Sequence, residues 1–168
     1  MNCYHNTMNK ISLALHLASE WHDGQVDKAG NPYILHPLNL AMQFKDDEDC
    51  FCVAMLHDVV EDCHVSIDII HKNFGERVAE GVDLLTHKKE NSYFEYIVNI
   101  KFTPWEKIKI ADLTHNIDIL RLNTILNKKD YYRLKKYQLS YLYLTEKIGM
   151  KMYLDEMNLL KEERENND

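Results

Sequence analysis

Glycine and proline are scarce in this 168-residue chain, at five and three residues. So few turn formers leave little room for loops and point to helices. No hydrophobic run is long enough to cross a membrane, and residues 1–10 lack the apolar core of a signal peptide, so a cytoplasmic protein without membrane partners is expected. Cysteine is limited to Cys3, Cys50, Cys52 and Cys63, in no C-x-x-C spacing, which argues against a zinc ribbon or a disulfide framework and for free thiols. Positive charge is not in excess either. A formal net charge of −7 excludes a broad surface for a nucleic-acid polymer, since backbone binding needs clustered Lys and Arg. A small phosphorylated ligand stays open, provided that a metal and a few lysines build one local positive site.

The chain is 45% hydrophobic, which suits one domain over residues 1–168 with a buried core. Ile11, Leu15 and Ala18, widened by Ala14 and Leu17, predict a first helix over about 8–22. Turn formers from Asp23 to Tyr33 interrupt it, and His36-Pro37 marks the start of a second helix with Pro37 in its first turn. Acidic residues from Asp46 to Asp49 open a helix expected to run to about Cys63. Further helices are expected over 66–74, closed by Gly75, and over 76–86. Two capping boxes, Ser92 with Glu95 and Thr103 with Glu106, mark later helix starts. Residues 134–148 and 152–160 supply the last helices, followed by a charged tail from Lys161 expected to fray. The expected architecture is all-α, a single helical bundle with a motif-bearing core over about 8–122 and C-terminal helices over about 128–165.

The most informative stretch is Cys52 to Asp62. There His57, Asp58, Glu61 and Asp62 interrupt a run of apolar residues, while neither Lys nor Arg occurs between Cys50 and His71. Ionised carboxylates among apolar neighbours cost several kcal/mol unless a partner offsets them, and a bound cation would do so. An amphipathic helix with a solvated polar edge is the other reading of HDxxED alone. Upstream stands His36, and downstream Asp112 interrupts a second apolar helix, with Asn116 one turn on. His36, His57, Asp58 and Asp112 form a mixed nitrogen and oxygen donor set that suits a divalent first-row cation and leaves positions open for water and a phosphate oxygen. Glu61 and Asp62 are then carboxylates near the metal's water, suited to accept its proton or to orient it for attack.

These residues resemble the HD superfamily of metal-dependent phosphohydrolases. The similarity is greater to the (p)ppGpp hydrolase domains of the Rel/Spo family and the small alarmone hydrolases. It is carried, in order, by His22 to Gln25, Gly30 to Pro37, Ala54 to Asp62, Phe74 to Ala79, and Lys109 to Asp112 through Asn116. The resemblance implies that His36, His57, Asp58 and Asp112 hold a divalent metal, usually Mn²⁺, with Fe²⁺, Zn²⁺ or Mg²⁺ as alternatives. It implies that Glu61 and Asp62 are the catalytic acidic pair, and that Lys28 and Asn116 contact a small phosphorylated nucleotide. His115, beside Asn116, is read as lining the pocket, with helix packing as its other role. The implied reaction is hydrolysis of the 3′-pyrophosphate of (p)ppGpp to GDP or GTP and pyrophosphate. The alternatives are another nucleotide or phosphorylated metabolite, or a sensor that binds without turnover.

The chain departs from that family where basic residues are usual: Val26 and Asp27 in the loop after Gln25, Leu113 after Asp112, and Asp118 after Ile117. A carboxylate at Asp27 cannot stack on a base as a guanidinium does, and it would repel a nearby phosphate. His16, His64, His71 and His87 are read as surface or partly buried side chains, and His22 as structural. Tyr131, Tyr132, Tyr137, Tyr141 and Tyr143 indicate aromatic packing or the face of a homo-oligomer, and Asn127 to Asp130 a solvated turn.

Overall fold

The computed structural model describes residues 8–122 and 125–166. Cys3, expected as a free thiol, lies outside them, while Cys50, Cys52 and Cys63 are free thiols. Among the described residues the regular elements are all helices, joined by turns and loops, with one isolated antiparallel bridge between Val26 and Pro32. They group into two compact units, one ending at Lys88 and the other beginning at Lys89.

In the N-terminal unit, α1 (Lys10–Trp21) is capped by Asn9, whose side chain accepts from the Ser12 N–H. Its buried stripe is Leu13, Ala14, Leu17 and Ala18, so Ile11 and Leu15 lie at the edge rather than the centre of the core face. α2 (Leu35–Ala41) carries Pro37 in its first turn and continues as a 3₁₀ turn, Met42–Phe44. α3 (Glu48–Leu56) is capped by Asp47, and every residue from Cys50 to Leu56 is buried. A helix apolar on all sides belongs at the centre of its unit, and α1, α2 and α6 pack on it. Each large side chain it buries contributes roughly 1.5–3 kcal/mol.

The expected continuous helix to Cys63 is broken. α3 stops at Leu56, His57 and Asp58 form a turn, and a short α4 (Val59–Asp62) follows. The His57 ring bonds the Ala54 carbonyl at 2.9 Å, the acceptor that an unbroken helix would offer to the Asp58 N–H. α5 (Ile67–Phe74) and α6 (Glu76–Leu85) are joined at Gly75, whose φ of +87° suits glycine.

The C-terminal unit holds α7 (Tyr93–Ile100), α8 (Glu106–Ile117), a 3₁₀ turn (Ile119–Arg121), α9 (Lys128–Leu144) and α10 (Met150–Glu165). The Ser92 capping box forms as expected. The Thr103 box does not: its hydroxyl donates back to the Ile100 carbonyl at 2.6 Å, while Glu106 accepts from the Phe102 N–H. Asn127 and Asp130, expected in a solvated turn, instead build a reciprocal capping box that starts α9 six residues before Leu134. Helix α10 stays regular through Glu165 rather than fraying at Lys161, with Lys161 paired to Glu165 one turn on. Tyr143 stacks on the fully buried Tyr153 at 4.7 Å, which gives that tyrosine a packing role within the unit.

Candidate metal and catalytic site

The loop joining α1 to α2 is closed by its own backbone. Asp27 N donates to Asn31 O at 2.8 Å and Tyr33 N to Gln25 O at 2.9 Å. Asp27 Oδ1 accepts from the Ala29 and Asn31 N–H groups, both at 2.9 Å, as in an Asx turn. Gly30 turns the chain between them at φ +84°. The Asp27 carboxylate is therefore occupied in holding the loop, and Lys28 stands exposed at its tip.

Beside this loop, His22 is buried and clasps three groups. Its Nδ1 lies 2.8 Å from Gln25 Oε1 and 3.2 Å from Cys63 Sγ, and its ring packs on Tyr33 at 4.9 Å. Gln25 Nε2 reaches back to the Asp62 carbonyl at 3.5 Å. The end of α1 is thereby tied to the end of α4, which supports the structural reading of His22.

The loop delivers Tyr33, and one turn later His36, to the broken helix. Tyr33 OH donates to Asp58 Oδ2. Asp58 Oδ2 lies 2.9 Å from His57 Nε2 and 3.7 Å from His36 Nε2, and the ligand atoms of these three residues fall within 4.8 Å of one another. The histidines are buried and Asp58 half-buried. Because His57 Nδ1 faces a carbonyl, it carries the ring proton, and Nε2 presents a lone pair towards Asp58. A cation holding nitrogen and oxygen ligands at about 2.1 Å sets donors roughly 3.0 Å apart at a right angle and wider at trigonal angles. The 2.9 and 3.7 Å separations from Asp58 Oδ2 fit that range, and the donor set fits a divalent cation.

The turn at His57–Asp58 also sets the acidic pair. Glu61 is fixed by the His87 N–H, which donates to its Oε2 at 3.1 Å. Asp62 is exposed as a residue, but partial desolvation, followed by the Asp58 and Glu61 charges, raises its pKa above the usual carboxylate value against the opposing pull of His22 and His57. A carboxyl with raised affinity for a proton is suited to acid–base work.

Asp112 belongs to the C-terminal unit, where it is buried on α8. Lys109 Nζ donates to its Oδ2 at 2.8 Å and Asn116 Nδ2 to its Oδ1 at 2.6 Å. Burial works against the Lys109 charge, yet Asp112, with Tyr96 and Tyr93, outweighs it and holds the ammonium well above the usual lysine value. Asn116 thereby orients Asp112. His115 is half-buried, its Nδ1 and carbonyl both engaged by Arg121 at 2.8 and 2.7 Å.

Tyr33, Lys109 and Arg121 are the site-shaping residues that the motif reading missed. Two of them carried a usable signal. Tyr33 stands three residues before His36 and Lys109 three before Asp112, spacings that share a helix face.

Residues 14–104 match the family model described as HD domain. The guanosine-3′,5′-bis(diphosphate) 3′-pyrophosphohydrolase of Borreliella burgdorferi is 31% identical over 94% of this chain and 26% of its own length. The protein of the same name from Aquifex aeolicus is 38% identical over 49% of this chain and 12% of its own length. The chain thus spans about a quarter or less of these relatives. Among solved structures, a metazoan ortholog of SpoT that hydrolyzes ppGpp superposes with a TM-score of 0.71 at 24% identity, covering 94% of this chain and 96% of that one, which supports the helical fold.

Proposed function

The chain belongs to the HD-domain family, and from that membership we propose that it is a metal-dependent phosphohydrolase that releases pyrophosphate from the 3′ position of (p)ppGpp. The observation that carries the reading is the convergence of His36 Nε2, His57 Nε2 and Asp58 Oδ2 within 4.8 Å, with the His57 tautomer set by Ala54. These three residues would hold the metal, Mn²⁺ by preference, with Asp112 carried as fourth ligand on its sequence motif. When bound, the cation supplies Lewis acidity to a phosphate oxygen and lowers the pKa of water.

The remaining work falls to the chain's own groups. Tyr33 holds Asp58 Oδ2 in place by its hydroxyl. Glu61, anchored on the His87 N–H, orients the attacking water, and Asp62 moves the proton. Water adds to the phosphorus attached to the ribose 3′-oxygen, and the bond to that oxygen breaks. Pyrophosphate leaves with the oxygen of water, and the 3′-oxygen leaves as a hydroxyl with the transferred proton. Asn116, His115 and the exposed Lys28 are the groups assigned to the nucleotide. The reaction and the substrate are those in the relatives' names, and both are proposals for this chain.

The test is release of GDP and pyrophosphate from ppGpp by the Mn²⁺-supplemented protein, with Asp58→Ala as the blank. Release that disappears in the variant supports the assignment. Nucleotide binding without turnover by folded, metal-loaded protein would replace it with a sensor.

A further inference from the structure

The C-terminal unit contains a cavity of about 470 Å³ between α7, α9 and α10. Five of its lining residues are cations: Lys129, Arg133 and Lys136 from α9, and Lys161 and Arg164 from α10. No carboxylate is among the described lining residues. Between the charges the lining includes three aromatic residues, Tyr93, Phe94 and Tyr132, with Leu154, Met157 and Leu160. In a chain of net charge −7, five cations around one cavity need a reason.

Two of these cations have carboxylates near them. Asp130 lies 3.4 Å from the Arg133 guanidinium, and Glu165 lies 3.9 Å from Lys161 in a pair that is mostly solvated. Arg133 Nε is buried and makes no hydrogen bond among the described residues. Lys136 Nζ sits 3.9 Å above the Tyr93 ring, a cation held against an aromatic face at the cavity wall. Tyr132 OH donates to the Glu163 carbonyl at 3.1 Å and Lys135 pairs with Glu163, so α9 and α10 are tied to each other.

We propose that this cavity binds a phosphorylated ligand with a planar ring, a nucleoside diphosphate by class. Lys and Arg side chains meet the phosphates through charge-assisted hydrogen bonds, and the aromatic walls take the ring. The volume is within the range of small-molecule sites, which favours a single nucleotide over a polymer. None of the lining residues is assigned to the hydrolytic reaction, so the proposal does not depend on that reading.

The experiment is a calorimetric titration of the 168-residue chain in EDTA, so that no metal recruits the phosphates, with GDP and separately with inorganic pyrophosphate. Wild type is compared with Lys136→Gln, with the double variant Lys129→Gln/Arg164→Gln and with Asp58→Asn. Lys129 and Arg164 are exposed, so the double variant keeps the test sound if Lys136→Gln fails to fold, which thermal melts reveal. The expected result is saturable GDP binding that weakens about ten-fold in each folded cavity variant and is unchanged in Asp58→Asn. Pyrophosphate, which lacks the ring, binds about ten-fold more weakly than GDP. Absence of saturable GDP binding, indifference to the cavity substitutions, equal affinity for pyrophosphate, or loss of binding in Asp58→Asn would each overturn the proposal. Failure of ppGpp hydrolysis with GDP binding intact would count against the phosphohydrolase reading alone.

Discussion

The two units treat a carboxylate near the core in opposite ways. In the N-terminal unit Asp58 is met by two imidazoles and a phenol. In the C-terminal unit Asp112 is met by an ammonium and an amide from its own helix, and Asp130 likewise has Arg133 one turn away. Residues 1–88 carry 6 Lys and Arg against 14 Asp and Glu, whereas residues 89–168 carry 14 against 13. Local charge balance lets the C-terminal unit neutralise its carboxylates with its own side chains. The N-terminal unit gathers donors whose shared preference is for an external cation.

The largest separation between the two is expected from removing each carboxylate. Asp112→Ala strands a buried ammonium and should destabilise the protein by about 3–5 kcal/mol, which adding Lys109→Met should largely recover. As removal of the proposed fourth ligand it should also weaken metal binding, which Lys109→Met should not restore. Asp58→Ala should abolish metal uptake and ppGpp turnover while leaving the metal-free melting temperature nearly unchanged. Urea denaturation and metal analysis of the three variants check this, and equal stability of Asp112→Ala and Asp58→Ala would erase the contrast.

A smaller effect is expected at Tyr33. Tyr33→Phe removes the hydrogen bond that aims Asp58 and should lower metal affinity or rate about 10–100-fold, read by metal titration and steady-state kinetics. Asp62→Asn should keep the metal and lower the rate by about a hundred-fold. In metal-free protein the same change should raise stability at neutral pH. The Asp62 pKa is higher folded than unfolded, so its charged form weakens the fold above that pKa and its neutral form does not below it. The gain in Asp62→Asn should therefore shrink as pH falls through the raised value, which melts across pH 4–8 would follow.

The mildest change concerns the loop. Asp27→Arg restores the basic residue usual in alarmone hydrolases but removes the cap on Ala29 and Asn31, at a cost of about 1 kcal/mol. Its melting temperature should fall by a few degrees without a gain in kcat/KM. A rise in activity would show that the Asp27 charge, not the loop's shape, limits substrate binding.

Much of this was legible in the chain. The all-helical class followed from periodicity and from scarce glycine and proline, and the Ser92 box sits where its S-x-x-E spacing places it. Thr103 had the same spacing and failed, because its hydroxyl found the Ile100 carbonyl first. Asn127 and Asp130 succeeded as a box although Asn-Lys-Lys-Asp reads as an ordinary polar turn. Within a helix end, short polar side chains choose between backbone partners that differ by little, and packing decides.

The residue types able to hold a metal, and the want of Lys or Arg beside them, were set by the order of amino acids alone, as was the pairing of Lys109 with Asp112 at one-turn spacing. Convergence of His36 with His57 and Asp58 was not, since residues some twenty positions apart meet only when α2 packs on α3. The break at His57, the Tyr33 bond to Asp58 and the inward turn of the Asp27 carboxylate were likewise decided in three dimensions. Local spacing sets which groups share a helix face, whereas the direction of a polar side chain depends on whichever partner the folded chain brings within hydrogen-bond reach.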